Sequence, residues 1–476
     1  MGSRVIVVGG GPVGVVAAME CARRGLSVTV VEKSTGVYDL PRAIVMDDEI
    51  QRAVTLAGAG SSLASVTSPM AGAEFIDTSG NRIIGFEIPE GLTTGLGFPP
   101  VVRYYQPQLE TFLRDVARRA GVRLRLGDEV VAVAQSDNGV TATLGSGETL
   151  NAGWLIAADG AASPIRKSLG IPFDSLGFDQ DWLVVDVRLR DGVEPDLPRL
   201  TQQICDPARP TTFVPGHERF RRWEFQLQPG ETRDEMTSPA RVWSLLAPWI
   251  TGDDAELVRA VVYRFHATVA GSMRDGRVFI AGDAAHQMPP FLGQGLCSGV
   301  RDSVNLVWKL QMVESGHGGE RLLDTYDAER RPHASGVVRH ATDMGRLIDQ
   351  LAGRGGGQSG LENAYGGQRP FPHLEHGMLV TGPVLVGRQM PDITLVDGNR
   401  FDSVAGDGFA VVIPPGWTGA DGSLATWREV GAKVFTGEVP FADGAVVVRP
   451  DRYVASVSSD ADGFESDTAT LMEILR

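Results

Sequence analysis

Cysteine is scarce in this chain. Three residues, Cys21, Cys205 and Cys297, are spread over 476 positions and form no CxxC pair. Such spacing excludes a disulfide framework and a structural zinc site, so no metal is expected, and it fits a reducing, cytoplasmic setting. Basic charge is also short: 44 Lys and Arg stand against 59 Asp and Glu, a formal net charge of −15. A dedicated nucleic-acid binder needs a basic face against phosphate, so that class is excluded. No apolar run approaches the roughly 18 to 20 residues of a membrane span, and no membrane partner is expected. Arg4 leads straight into an apolar strand without a basic leader, so no signal peptide is expected either. No repeat period is present. What is there is 42% hydrophobic and 22% charged residues at a mean hydropathy of −0.04, the balance of a folded globular chain. At roughly 150 residues per domain the length suggests about three units.

The first residues set the fold class. Val5, Ile6, Val7 and Val8 form a short unbroken apolar run, as in a strand buried on both faces of a parallel sheet. A Gly-rich turn follows, then a helix over residues 15–24 stopping at Gly25, then a strand over 27–32. This is a complete βαβ unit. Further on, the pattern predicts a helix over 108–120, a strand over 122–126, a hairpin from 130–135 and 140–144, and a buried strand over 154–158. Residues 172–270 alternate like strands and lack Gly-rich turns, which marks a separate β-rich lobe. The buried-strand pattern returns at 278–281, and a long helix covers 295–314 with Leu296, Val300, Val304, Val307 and Leu310 at helical spacing. The expected organisation is therefore an α/β, Rossmann-like domain in two parts (1–171 and 271–350), an inserted β-rich lobe (172–270), a Gly-rich linker (351–383) and a last module (384–476).

Chemistry concentrates at the strand ends. Gly9, Gly11 and Gly14 make a GxGxxG after a strand and at the opening of a helix. These glycines permit a tight turn and close approach of backbone to a pyrophosphate, and the helix N-terminus supplies N–H groups and partial positive charge. Glu32 ends the second strand, 18 residues after Gly14, placed to accept from adenosine ribose hydroxyls; FAD or NAD fits, and a 2′-phosphate would be repelled. A second GxGxxG at Gly355, Gly357 and Gly360 has neither strand nor acidic partner and reads as loop. Gly282-Asp283 then separates FAD from NAD. A buried strand delivers it at its C-terminal end, where Asp283 can accept from a ribityl chain, which nicotinamide cofactors lack. Pro290, Gly293, Gln294, Gly295 and Leu296 lead into the long helix, whose N-terminus can stabilise negative charge on a reduced flavin.

With these three motifs the sequence resembles the FAD-dependent aromatic hydroxylases, the single-component (group A) flavoprotein monooxygenases. They are the fingerprint at Gly9 to Gly14, the Asp-Gly motif at Asp159-Gly160 and the Gly-Asp motif at Gly282-Asp283. Leu40-Pro41-Arg42-Ala43, Asp47-Asp48-Glu49, Cys205-Asp206-Pro207, Arg222-Trp223-Glu224-Phe225 and Tyr326 to Pro332 are similar to the 3-(3-hydroxyphenyl)propionate hydroxylase subgroup. The resemblance implies a p-hydroxybenzoate hydroxylase-like fold, FAD as cofactor, NAD(P)H as transient reductant, and O2 with a phenolic acid as substrates. It implies that Gly9, Gly11, Pro12, Val13, Gly14, Glu32 and Lys33 hold the ADP half. Arg42, Gln106, Val130 and Asp159 would add contacts to FAD, Asp283 would hold the ribityl chain, and Pro290 with Gly293 to Leu296 would lie beside the isoalloxazine. The last module resembles a thioredoxin-like domain without cysteines, which excludes a redox role and leaves a structural or dimer-contact one; a monomer or homodimer is expected.

Family chemistry adds O2 at C4a of the flavin, and an electron-rich phenol attacks it, hydroxylated ortho to its hydroxyl. Ionising the phenol enriches the ring, so a base nearby is physically motivated. The candidates are Asp47, Asp48, His217, His266, His286 and Tyr263, with Arg222 near the flavin and Cys297 as packing. Rival readings are an NAD-dependent dehydrogenase using only the first βαβ unit, a natural-product tailoring oxygenase of the same fold, and a flavin-binding scaffold without turnover.

Overall fold

The computed structural model describes residues 4–38, 42–354 and 372–476. Strand Val5–Val8 is at most 7% exposed and pairs in parallel with Val28–Glu32 on one side and Trp154–Ala157 on the other. β-Branched residues with no polar face suit this central position, since both faces are covered. The full order is Arg274–Asp275, Val278–Ile280, Trp154–Ala157, Val5–Val8, Val28–Glu32 and Arg123–Leu126, all parallel except the first. The strand at 278–280 therefore rejoins the sheet that the N-terminus began. Its C-terminal ends bring together Gly9, Glu32, Asp159 and Asp283, so the crevice lies along one sheet edge. Helix Pro12–Arg23 has proline in its first turn, where no N–H is missed. Helix Gln106–Arg119 begins two residues earlier than its periodicity predicts.

The β-rich lobe is an eight-stranded sheet built on two long antiparallel strands, Phe173–Leu189 and Ala255–Ala270. Phe220–Gln226, Thr211–Pro215 and Thr201–Ile204 extend it. Strands Gly72–Ile76 and Arg82–Glu87 complete one edge, so the stretch assigned by pattern to the first domain contributes to this lobe as well. Period-two alternation sorts the faces. Leu183, Val185, Val187, Trp223 and Phe225 pack outward against Val242 and Leu246 of helix Pro239–Leu246. The opposite face carries Asp186, Arg222 and Glu224 and closes over the crevice as a roof.

Helix Gly295–Glu314 lies as its periodicity predicts. A longer helix, Glu320–Leu351, follows it with Pro332 inside; a breaker in mid-helix hides such an element from sequence reading. The last module pairs Ala410–Ile413 in parallel with Lys433–Thr436 and antiparallel with Ala445–Val448, which pairs with Val454–Ser458. It docks on the long helix through Trp308 against Phe409 and a fully buried ionic cluster. There Glu329 accepts from Lys309 and Arg449, both at 2.8 Å, and from Asn305 at 2.6 Å. Among the described residues no helix is long and apolar enough to cross a membrane. The GxGxxG at 355–360 and residues Leu40 and Pro41 lie outside the described residues.

Candidate active site

The fingerprint loop is shaped by what its glycines avoid. A Cβ on Gly9 would collide with the Ala158 carbonyl, and one on Gly14 with the Gly9 carbonyl, whereas a Cβ on Gly11 would meet nothing within 4 Å. Two glycines therefore serve packing, and the third leaves open space at a helix N-terminus with no side-chain cap. Glu32 accepts from the Gly10 N–H at 2.6 Å and the Ser34 N–H at 2.8 Å. Arg114, buried, donates twice to the Gly10 carbonyl, at 2.8 and 3.1 Å. Lys33 is exposed, and Val130 is a buried strand residue outside the cavity lining.

At the other strand ends stand two carboxylates with unused acceptors. Oδ1 of Asp159 is buried without a hydrogen-bond partner among the described residues, while Oδ2 accepts from the Ile165 N–H. Asp283 opens into the cavity and accepts no hydrogen bond from the described residues; surrounding protein raises its pKa against the opposing fields of His286 and Arg42. Asp302, which the sequence did not single out, fixes this turn. It accepts from the Gly282 N–H at 3.0 Å, pairs with His286 Nε2 at 2.7 Å and with Arg330 at 2.8 Å. His286 is thus committed to the turn.

The segment after Tyr38 forms the side wall. Gln106 does not cap its helix; its Oε1 accepts from the N–H groups of Arg42 and Ala43, both at 2.7 Å, and its Nε2 donates to Glu110. Asp47 caps helix Asp48–Val54 through the Ile50 N–H, and its other oxygen accepts from Arg301 at 2.7 Å and Gln294 at 3.1 Å. So occupied, neither Asp47 nor Gln294 reaches into the cavity as a free group. Asp48 lines the cavity, and burial, then Asp47 and Glu49, push its carboxyl up to about 6. Arg222 is locked: Nε and Nη2 donate to Asp186 at 2.7 and 3.3 Å, and Nη1 donates to the Arg42 carbonyl at 2.7 Å.

One cavity of about 940 Å³ joins these pieces, at the upper end of the range for ligand sites. Gly11, Pro12, Val13, Arg42, Gln106, Gly282 and Asp283 line its floor end; Pro290, Gly293, Gly295 and Leu296 line the start of the long helix. Gly293 takes φ +65° at that corner, and a Cβ there would strike Val45. His217, Tyr263 and His266 are not part of the lining. His217 contacts Ser68, Tyr263 accepts from Arg259, and His266 pairs with Asp179 on the outer surface with its ring 42% exposed. His266 therefore leaves the set of residues that can meet a ligand here. Cys297 is buried. The titratable lining residues Glu74, Glu87, Glu224 and His340 were not singled out as catalytic candidates. Glu224 shares a face with Arg222 by the period of two, a signal available in the sequence; His340 sits on the helix hidden by Pro332.

Comparison with known proteins bears on what fills this space. Residues 3–341 match a family model described as an FAD binding domain. A probable NADH-specific resorcinol 4-hydroxylase of Rhodococcus jostii is 34% identical, the match covering 96% of this chain and 92% of that protein. The chain belongs to the FAD-dependent aromatic hydroxylases. A 3-(3-hydroxy-phenyl)propionate/3-hydroxycinnamic acid hydroxylase of Klebsiella pneumoniae is 33% identical with the same coverage. Aklavinone-11 hydroxylase, solved with FAD and aklavinone, shares the fold over 99% of both chains at TM-score 0.83 and 24% identity. In this family FAD is the cofactor, and the residues present suit it. Open space at Gly11, an orphaned Asp159 oxygen and a donor-free Asp283 facing the cavity are what a pyrophosphate and a polyhydroxyl chain would complete.

Proposed function

We propose that this flavoprotein uses NADH or NADPH and O2 to hydroxylate a phenol ortho to its hydroxyl, with Asp48 receiving the phenolic proton. The carrying observation is Asp48 itself: a carboxylate on the cavity wall whose proton affinity is raised to about 6 by burial and two carboxylate neighbours. Near neutral pH it is ionised and stronger than an ordinary aspartate, which suits a general base. FAD, when bound, supplies electron transfer from the nicotinamide and activation of O2. The chain's own residues do the rest. Gly11 and the start of helix Pro12–Arg23 would hold the pyrophosphate, Glu32 the adenosine ribose, and Asp283 the ribityl hydroxyls. The uncapped N-terminus of the long helix, opened by Gly293 and Gly295, would face the ring with free N–H groups. Arg222, fixed on Asp186, clasps the Arg42 carbonyl and so ties roof to wall; it acts as a positioning residue. Apolar lining residues, Phe75 of the roof sheet with Met344 and Ile348 of helix Glu320–Leu351, keep the pocket dry around the aromatic substrate.

The substrates named for the two relatives, resorcinol and 3-(3-hydroxyphenyl)propionate, are both phenols substituted meta to the hydroxyl, and the proposed substrate belongs to that class. The buried free thiols Cys21, Cys205 and Cys297 support a cytoplasmic setting. The test is a panel of meta-substituted phenols scored for stimulated NADH oxidation and for a product heavier by one oxygen atom. Stimulation with that product is expected; flavin-loaded protein that oxidises NADH no faster with any phenol would overturn the reading.

A further inference from the structure

On the roof, Gln203, Thr212 and Glu224 occupy register-paired positions of three adjacent strands, so their side chains share one face, and all three line the cavity. Thr212 donates to Gln203 Oε1 at 2.7 Å, and Gln203 Nε2 donates to the Thr211 carbonyl at 3.2 Å. Glu224 completes the row without a donor. It is 6% exposed, and its carboxylate accepts no hydrogen bond from any described residue. The nearest cation, Arg222, stands 3.8 Å away with its N–H groups directed to Asp186 and the Arg42 carbonyl. A buried carboxylate lacking a donor is costly, and burial raises its proton affinity against the pull of Arg222. Neither neighbour in the row can supply the missing hydrogen, because each is already engaged; a ligand hydroxyl can.

The charge inventory of the lining points the same way. Among the described residues its fixed cations are Arg42 and Arg222. Arg42 stands on the cofactor side, where its field acts on Asp283 and Glu110, and Arg222 is tied to Asp186. His340 is the remaining basic group. A substrate carboxylate at the roof would meet Glu224 with no uncommitted fixed cation to offset it, and like charges placed together reject a partner.

Resting on the phenol-hydroxylase reading, we propose that Glu224 determines specificity: its carboxylate accepts the hydrogen of a second, neutral hydroxyl on the ring. The enzyme thereby takes uncharged dihydroxybenzenes and turns away phenols whose side chain ends in a carboxylate. Of the two relatives' substrates, resorcinol has this chemistry and 3-(3-hydroxyphenyl)propionate does not.

Holoenzyme is titrated with each of these two phenols at pH 8, above the ordinary histidine range. Perturbation of the flavin absorption reads binding, and NADH oxidation reads turnover. Resorcinol is expected to bind about tenfold or more tightly than the acid, the worth of one charge-assisted hydrogen bond. Glu224→Gln, nearly the same shape without the charge, should shrink that ratio by improving the acid; Glu224→Leu should shrink it by losing resorcinol. Equal binding, or tighter binding of the acid to wild-type enzyme, overturns the proposal. So does a ratio that Glu224→Gln leaves untouched in FAD-loaded protein; if the variants fail to hold FAD, the wild-type ratio alone decides. If FAD-loaded wild type responds to neither phenol by absorption or turnover, the phenol-hydroxylase reading falls and the specificity with it.

Discussion

Replacing Asp48 with asparagine should make the protein more stable and a worse hydroxylase, and both effects can be worked from one number. In the folded chain the Asp48 carboxyl is pushed up to about 6, first by burial and then by Asp47 and Glu49; in the unfolded chain it titrates at its ordinary value near 4. A carboxyl whose folded pKa is raised binds protons more tightly folded than unfolded. Its ionised form therefore costs stability above pH 6, and this cost fades as pH falls from about 6 to about 4. Two units correspond to about 3 kcal/mol; since the group is only partly buried and lines an open cavity, a gain on the order of 2 kcal/mol for the variant at pH 8 is expected. The gain should vanish near pH 3, where the carboxyl is largely protonated both folded and unfolded. Chemical denaturation of wild type and Asp48→Asn at the two pH values measures it. In stopped flow, hydroxylation by the variant should slow roughly 10²- to 10⁴-fold, the usual worth of a general base, while flavin reduction by NADH changes far less. Wild-type hydroxylation should also rise through pH 6, a rise missing from the variant. A variant no more stable at pH 8, or equally stabilised at both pH values, refutes the electrostatic reasoning; unchanged hydroxylation refutes the base.

The two classes of fingerprint glycine should separate. Gly11→Ala is expected to lose FAD while the apoprotein keeps its melting temperature, because its Cβ enters open space. Gly14→Ala should lower both, since that Cβ strikes the Gly9 carbonyl. Asp283→Ala should weaken FAD retention at least tenfold in dialysis, given that the carboxylate has no other described partner; unchanged flavin content would remove it from the cofactor site. Glu329→Gln should destabilise the junction with the last module by roughly 3 to 5 kcal/mol, leaving Lys309 buried without its carboxylate partner while Arg449 keeps only Asp451. Burial notwithstanding, Arg449 and Lys309 hold the Glu329 carboxyl down to about 2. Its contribution is thus full above about pH 4.5 and lost as pH falls toward 2, which acid unfolding of wild type and variant compares.

The central sheet was legible because Val5 to Val8 and residues 278–280 carry the unbroken apolar pattern that only a doubly covered strand needs. Gly9, Gly11, Gly14, Glu32 and Asp283 were legible because a turn, a helix start and an acid at a strand end recur at fixed spacing. The roof was harder. Its sheet takes two strands from residues 72–87, more than 80 positions before the lobe's long strands, and strand pairing at that distance leaves no local mark. Choosing between Asp47 and Asp48 was beyond the sequence, since only the fold brings Arg301 and Gln294 to Asp47 and leaves Asp48 to the cavity. Arg114 and Asp302, which hold the fingerprint loop and the Gly282 turn, are ordinary charged residues on helices until their partners arrive from other elements. His266 looked eligible by type and lobe; the outward face of its strand decides otherwise.

The most direct test of the account is isotopic. Holoenzyme, NADH and resorcinol are incubated under heavy-isotope dioxygen, and the product is examined by mass spectrometry and NMR. One heavy oxygen atom on a ring carbon ortho to a hydroxyl, formed in proportion to NADH consumed, is the expected result. NADH consumed with no labelled product from resorcinol or any other phenol, or oxygen arriving from water instead, would contradict it.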